Sequence, residues 1–170
     1  MKVRSICLCG LFSALMAICA WISIPIFDTA ITLQSFVFVL ALLLLGGKWA
    51  SVTIGVYLLL GAIGAPVFSG FQGGLGALFG PTGGYLWGFA AGALLYWAFT
   101  CLCGKKLPMA GVLLAMLVCY SCGVSWYWFA YAQGGIALTI LRSVLPCLAP
   151  DALKIWLAFT LARLLKGRIY

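Results

Sequence analysis

Long apolar runs with almost no charged residues are the feature of this sequence that most constrains its fold. Apolar residues make up 66% of the 170 residues and charged residues only 7%, whereas soluble domains carry about 25% charged residues. A bilayer tolerates so apolar a surface, but it restricts spanning segments to helices or closed barrels because it offers the backbone no water. The runs are continuous and do not alternate between apolar and polar residues, so they predict helices.

The runs predict an all-α, polytopic integral membrane protein with a bundle of six transmembrane helices. A spanning helix needs ~20 mainly apolar residues, and the second run is short for a span. The runs cover approximately residues 6–24, 33–45, 50–63, 85–103, 109–131 and 144–165. A stretch rich in Gly and Pro, residues 64–84, is expected to form an outer loop between the third and fourth helices. We expect a single transmembrane domain over residues 1–170.

The distribution of Lys and Arg predicts the orientation. The chain has 10 Lys and Arg against 2 Asp and Glu, and the cations lie scattered between apolar runs, which disfavours nucleic-acid binding. Six crossings would place both termini on one side, together with Lys2, Arg4, Lys48, Lys105, Lys106, Arg163, Lys166 and Arg168. The opposite side holds Arg142, and Lys154 lies within the sixth run. Because cytoplasmic loops are enriched in cations, we expect both termini to be cytoplasmic and the Gly-rich segment to face outward.

The cysteines and the missing histidines argue against metal sites and catalysis. The chain has 8 Cys and no His, and the Cys7/Cys9 and Cys101/Cys103 spacings do not match those of zinc sites. Within apolar runs, Cys acts as a small hydrophobic residue. No nucleophile and base stand together in the sequence, and no Walker A motif is present. We therefore expect no metal, no cofactor, no enzymatic activity and no hydrolysis of ATP by this chain.

Two charged residues in the sixth run, Asp151 and Lys154, are the strongest candidates for a binding site. A charge at the centre of a bilayer costs at least ~2.5–3.5 kcal/mol, and such residues usually face a bundle interior or a ligand path. Their i, i+3 spacing places them on one helix face. Two other interpretations remain: an internal ion pair that only joins helices, and an Asp151 that caps the helix start after Pro150.

The Gly-rich segment could provide backbone N–H groups and aromatic walls for a ligand. Phe68, Phe71 and Tyr85 would form the apolar walls. Non-helical backbone at membrane depth is tolerated only against protein or a cavity, but an ordinary outer loop explains the segment equally well.

Near the outer start of the second run, Gln34 offers both a donor and an acceptor. Just before it, Thr32 could simply cap the helix.

Small residues recur every fourth position in the first run, as Gly10 with Ala14 and as Ser13 with Ala17. Such spacing allows helices to approach closely. It predicts either packing within the bundle or docking of a partner membrane protein.

Four segments together resemble BioY, the biotin-specific S-component of energy-coupling factor (ECF) vitamin transporters. The segments are Thr32-Leu33-Gln34, Gly64-Ala65-Pro66-Val67-Phe68, Gly80-Pro81-Thr82-Gly83-Gly84-Tyr85 and Pro150-Asp151-Ala152-Leu153-Lys154. The resemblance implies a substrate-binding protein of the bacterial cytoplasmic membrane that captures biotin from outside. It also implies partners, namely a membrane coupling T-component and two cytoplasmic ATP-binding subunits. Contacts with biotin are implied for Asp151, Lys154, Gln34, Gln72, Gly83, Tyr85 and the loop between the third and fourth helices.

The chemistry of Asp151 and Lys154 suits such a ligand. An ionised Asp accepts strongly from ureido N–H groups, and Lys is a point-charge donor for a carboxylate. In a helix their Cβ atoms are only ~5–6 Å apart, so either the long Lys stem bridges to the far end of biotin or both residues contact neighbouring parts of it. Alternative functions are an S-component for another vitamin, a membrane enzyme or proton-coupled carrier that uses Asp151 as a proton site, and a purely structural subunit.

Overall fold

The computed structural model describes residues 2–26, 29–104, 107–131 and 135–169. Residues 27–28 and 132–134, which lie between predicted runs, and the cations Lys105 and Lys106 lie outside these ranges. The helices are α1 (Lys2–Trp21), α2 (Gln34–Ala62), a 3₁₀ helix (Ser69–Phe71), α3 (Leu75–Leu78), α4 (Gly83–Cys103), α5 (Pro108–Ala130), α6 (Ile136–Ser143) and α7 (Leu145–Ile169). Two strands, β1 (Ser23–Ile26) and β2 (Thr29–Thr32), form an antiparallel pair between α1 and α2.

Five of these helices, α1, α2, α4, α5 and α7, are long and apolar enough to cross a membrane. The predicted class, a mostly helical multi-pass membrane protein, is confirmed. The predicted bounds of the first, fourth, fifth and sixth runs agree with α1, α4, α5 and α7 to within a few residues. The second and third predicted helices instead form the single helical element α2.

Gly46 divides α2 into two antiparallel halves. Its backbone is not helical, with φ 76° and ψ 169°. Gln34 precedes Gly46 and Tyr57 follows it, yet Gln34 Nε2 donates a hydrogen bond to Tyr57 Oη at 2.9 Å. In a straight helix these residues would be ~35 Å apart, given a rise of ~1.5 Å per residue. The connection between the predicted runs 33–45 and 50–63 is therefore a reversal centred on one glycine.

The first half of α2 lies at the centre of the protein. Every residue from Val37 to Leu45 is buried, because the half-helix is enclosed by neighbouring elements that include α4 and α7. Gly47 packs directly on the backbone of Trp97 in α4, and a side chain there would collide with it. This central position explains why a run too short for an ordinary span is so uniformly apolar.

The connections contain more structure than the sequence predicted. The antiparallel β1–β2 hairpin, which pairs Ser23 with Thr32, follows α1. The Gly-rich segment is not simply a loop, because it contains the 3₁₀ helix and α3. An eight-residue helix, α6, precedes α7.

Candidate substrate-binding site

A cavity lies where the β-hairpin and the Gly-rich segment meet α2, α4, α5 and α7. Its floor is polar and its walls are aromatic and aliphatic. The lining residues are Ala30, Ile31, Thr32, Gln34, Ser35, Phe68, Ser69, Thr82, Tyr85, Leu86, Phe89, Met116, Cys119, Tyr120, Cys147, Asp151 and Lys154. A concave, mainly apolar pocket with a few convergent polar groups is typical of small-molecule sites.

Asp151 and Lys154 form a buried ion pair in this cavity. Lys154 Nζ lies 2.7 Å from Asp151 Oδ1, and the two residues are only 8% and 7% exposed. Asp151 is the seventh residue of α7, so it does not cap the helix start. The i, i+3 spacing places both side chains on one face of α7, as the sequence predicted.

Two neighbouring side chains also donate hydrogen bonds to the carboxylate. Ser35 Oγ donates to Asp151 Oδ1 at 2.8 Å, and the Tyr120 hydroxyl donates to Oδ2. Charge-assisted bonds of this kind are about twice as strong as neutral ones. The Asp151 carboxylate thus accepts hydrogen bonds from three donors on three different helices.

The Lys154 ammonium is equally well satisfied. Besides Asp151, it donates to the Thr32 carbonyl at 2.7 Å and to Ser35 Oγ at 3.2 Å, so all three of its protons are used. Thr32 therefore acts through its backbone at the end of β2. The alternative that its side chain caps α2 is not what the structure shows, since Leu33 occupies the cap position without a side-chain bond.

Gln34 and Phe68 also line the cavity and attach the Gly-rich segment to α2. Gln34 is buried and donates to Tyr57, whose hydroxyl donates to the Val67 carbonyl at 2.9 Å. The Phe68 ring meets the Tyr57 ring edge-on at 5.5 Å and fills the space that the missing side chain of Gly61 leaves. Polar and aromatic contacts thus fix this wall of the site.

The structure brings together five of the eight candidate residues, namely Asp151, Lys154, Gln34, Phe68 and Tyr85. The other three are not among the lining residues. Phe71 is 63% exposed and stacks on Trp21 at 4.9 Å. Gln72 is exposed and accepts a bond from the Phe68 amide through its carbonyl. Gly83 packs against the Leu78 carbonyl.

Two polar residues of the site, Ser35 and Tyr120, were not among the predicted candidates. Tyr120 lies 31 residues and Ser35 116 residues from Asp151 in the sequence. Ser35 directly follows Gln34, and this adjacency is the only signal that could have indicated it. Nothing in its sequence surroundings distinguishes Tyr120 from the other tyrosines of the apolar runs.

The two small-residue pairs of α1 have different environments. Ser13 and Ala17 are buried, and Ser13 Oγ donates to the Thr53 carbonyl of α2 at 3.0 Å. Gly10 and Ala14 are exposed. One pair thus packs within the protein, while the other leaves a small-residue surface on the outside of the bundle.

A family model described as the BioY family matches residues 1–169 of the chain. The chain belongs to the BioY family. A BioY relative in Pyrococcus horikoshii, named "Probable biotin transporter BioY", is 38% identical over 98% of this chain and 99% of its own length. "Biotin transporter BioY2" of Lactococcus lactis is 35% identical over 82% of this chain and 78% of its own. The expected family is thus confirmed.

The fold agrees with that of one solved structure. The crystal structure at 2.1 Å of "the S-component for biotin from an ECF-type ABC transporter" superposes with a TM-score of 0.86 at 24% identity. The match covers 98% of this chain and 92% of the other. At this identity the similarity establishes the fold alone.

Proposed function

We propose that this chain binds biotin with high affinity as the substrate-capture subunit of an ECF-type transporter. The observation that carries the proposal is the buried Asp151–Lys154 ion pair on the floor of an aromatic-walled cavity. Burying both charges in a membrane-spanning helix is costly unless they are well paired. Binding of a polar ligand would explain why the protein keeps them there. The names of the curated relatives support biotin as that ligand.

Biotin fits the chemistry of the cavity. Its ureido ring carries an N–H group that can donate to the Asp151 carboxylate and, beside it, a carbonyl that can accept from Lys154. Its fused rings and valeryl chain are apolar and match Phe68, Tyr85 and Phe89. We propose that the ligand contacts these residues together with Gln34, and that Phe71, Gln72 and Gly83 support the site from outside its lining.

We further propose six membrane crossings, a single substrate-binding domain, cytoplasmic termini and a cavity that opens outward. The reversal at Gly46 supports six crossings, because it turns one long helical element into two antiparallel ones. The excess of cations at the end of the bundle that holds the termini supports the orientation.

This orientation can be tested with Cys103, the exposed last residue of α4. In a variant that keeps only this cysteine, a membrane-impermeant thiol reagent should label inside-out vesicles and spare right-side-out vesicles. The opposite pattern would reverse the proposed topology.

The energy for transport is proposed to come from partners in the bacterial cytoplasmic membrane. We propose a membrane T-component and two ATP-binding subunits as those partners, and no enzymatic activity for this chain itself. The exposed Gly10–Ala14 surface of α1 is the proposed contact with the T-component, since small residues let helices approach closely.

Equilibrium binding of labelled biotin to the purified protein in detergent tests the proposed function. We expect saturable binding of one biotin per chain that other vitamins, such as thiamine and riboflavin, do not compete for. Asp151→Asn should weaken it, whereas Ser121→Ala, a change of an exposed serine on α5, should not. Absence of saturable binding by the unmodified chain would refute the proposal, and competition by another vitamin would reassign the ligand.

A further inference from the structure

Two aromatic residues outside the cavity join the Gly-rich segment to the end of α1. Trp21, the last residue of α1, donates a hydrogen bond from its indole Nε1 to the Pro66 carbonyl at 2.7 Å. The Trp21 ring also stacks on the Phe71 ring, with 4.9 Å between the ring centroids and 23° between the planes. The Trp21 side chain thus contacts the Gly-rich segment at two separate points.

The stretch of chain between these two points carries part of the cavity wall. Phe68 is buried and lines the cavity, whereas Phe71 does not line it. The Phe68 amide donates to the Gln72 carbonyl at 2.9 Å, which closes a tight turn around the 3₁₀ helix. The position of the Phe68 ring therefore depends on how this turn is held.

The turn has a backbone conformation that its sequence disfavours. Among the described residues, Phe71 is the only non-glycine residue with a positive φ, which is 58°. A bulky residue is rarely found in this left-handed region, and it stays there only where surrounding contacts fix it. The stack on Trp21 is such a contact. We therefore expect the turn to relax when the Trp21 ring is removed.

Two different helices bind consecutive carbonyls of the segment. Trp21 of α1 donates to the Pro66 carbonyl, and Tyr57 of α2 donates to the Val67 carbonyl at 2.9 Å. Tryptophans near a membrane surface commonly direct the indole N–H toward water or lipid headgroups. Trp21 is 37% exposed, yet its N–H bonds to the protein. This use of the N–H indicates that Trp21 holds the segment and is more than a membrane anchor.

We propose that Trp21 is a positioning residue of the binding site, which acts through Phe71 and the turn to keep Phe68 in the cavity wall. Trp21 is not among the lining residues, so its effect on a ligand is indirect. It raises the fraction of the ligand-free protein in which the wall is already in place, and the apparent affinity falls in proportion to that fraction. The inference rests on the proposed biotin binding and adds a residue to the site.

Three substitutions separate the two contacts of Trp21. Trp21→Leu removes both contacts, whereas Trp21→Phe keeps an aromatic ring for the stack and removes only the N–H donor. Phe71→Leu removes the stack from the other side. Trp128→Leu is the matched control, because Trp128 is an exposed tryptophan in the last turn of α5 that does not line the cavity. The dissociation constant of biotin would be measured for each variant.

Trp21→Leu should weaken biotin binding at least about fivefold, the loss of a hydrogen bond together with an aromatic contact. Trp21→Phe should weaken it roughly 2- to 10-fold, the loss of the hydrogen bond alone. Adding Phe71→Leu to Trp21→Leu should cost little more, because both changes break the same stack. Trp128→Leu should bind biotin like the unmodified chain.

Hydrogen exchange of the ligand-free protein tests the same proposal without biotin. The Phe68 amide is bonded to the Gln72 carbonyl, and the Gly74 amide to the Gly61 carbonyl at 2.7 Å. Peptides that contain these two amides should exchange several-fold faster in Trp21→Leu, because the segment opens locally more often. Peptides from α4 and α5 should exchange at the rate of the unmodified chain.

Unchanged biotin affinity in the Trp21 variants that fold would overturn the proposal, as would equal losses in Trp21→Leu and Trp128→Leu. Faster exchange spread evenly over the whole chain would also overturn it, since Trp21 would then stabilise the fold without positioning the wall. Failure of the proposed function looks different. The unmodified chain would then show no saturable biotin binding, while exchange of the Gly-rich segment would still respond to Trp21→Leu.

Discussion

At the scale of single residues, the site depends on how two buried charges are balanced. Asp151 receives hydrogen bonds from Ser35, Tyr120 and Lys154, while Lys154 donates to Thr32 and Ser35 as well. Breaking a buried pair by removing one partner leaves the other charge uncompensated. The two residues should therefore be strongly coupled in stability and in ligand binding.

A double-mutant cycle measures this coupling. Asp151→Asn and Lys154→Met should each lower the free energy of unfolding by about 3–5 kcal/mol. The double variant should lose less than the sum of the two. Each single change should also weaken biotin binding by about 1–3 kcal/mol, the contribution of a hydrogen bond to a charged group. Thermal unfolding in detergent and equilibrium binding provide the two readouts.

Arg163→Met is the control for the cycle, because it removes an exposed cation of the same helix and should change neither quantity. Additive losses would contradict the coupling. If both single variants bound biotin with unchanged affinity, Asp151 and Lys154 would not belong to the binding site.

The sequence identified the residues of the site whose chemistry is unusual for their surroundings. Asp151 and Lys154 are conspicuous because charges are rare in a membrane span. Tyr120 and Ser35 are ordinary residues whose role comes from contact with a distant helix, which no local pattern encodes. Phe71 is an aromatic residue of the Gly-rich segment, like Phe68. Only the folded chain shows that the Phe71 ring stacks on Trp21 and does not line the cavity.

At the scale of elements, the reversal within α2 depends on Gly46. Its φ of 76° and ψ of 169° lie in a region that is essentially restricted to glycine. Among the described residues, no atom lies close enough to block a side chain at this position. The effect of a substitution there is therefore expected to come mainly from the backbone.

Replacing Gly46 by Ala should lower the free energy of unfolding by about 1–3 kcal/mol. Gly55→Ala is the matched control, since Gly55 lies within the same α2 with equally open space around it and no positive φ. There Ala should stabilise the helix by roughly 0.5–1 kcal/mol. Thermal unfolding of the two variants in one detergent compares them directly, and shifts of the same sign would contradict the role of the backbone.

Apolar runs predicted most of the long helices, because hydrophobic length is a local property of the chain. The short elements were missed for physical reasons. Strands of four residues such as Ser23–Ile26 are stable only once they are paired, and Pro25 argues locally against a strand. The second and third predicted runs are less separate than expected, since the chain reverses between them at one glycine.

At the scale of the whole molecule, α1 packs inward through one pair of small residues and presents another pair outward. If Gly10 and Ala14 contact the T-component, bulk at these positions should block assembly and leave the distant cavity intact. Gly10→Leu combined with Ala14→Leu should retain unmodified biotin affinity in the purified protein. It should reduce biotin uptake by cells that also produce the partner subunits by at least about tenfold, a loss of ~1.4 kcal/mol or more in association.

Ala98→Leu, the same kind of change at an exposed position of α4, is the control and should leave uptake unaltered. Unmodified uptake by the double variant would exclude this surface as the contact. A loss of biotin affinity in the double variant would show that the change disturbs the fold.

The hydrogen bonds of the ion pair also affect which molecules the cavity admits. Lys154 uses its three protons on protein groups, and Asp151 accepts three hydrogen bonds at its roughly four acceptor positions. An incoming compound must therefore displace a protein partner to bond with Lys154. A purely apolar compound of suitable shape would separate these groups and offer nothing in return, a penalty that discriminates strongly at sites with buried polar groups. The protein therefore discriminates against unsuitable molecules because binding them would cost the hydrogen bonds of Asp151 and Lys154.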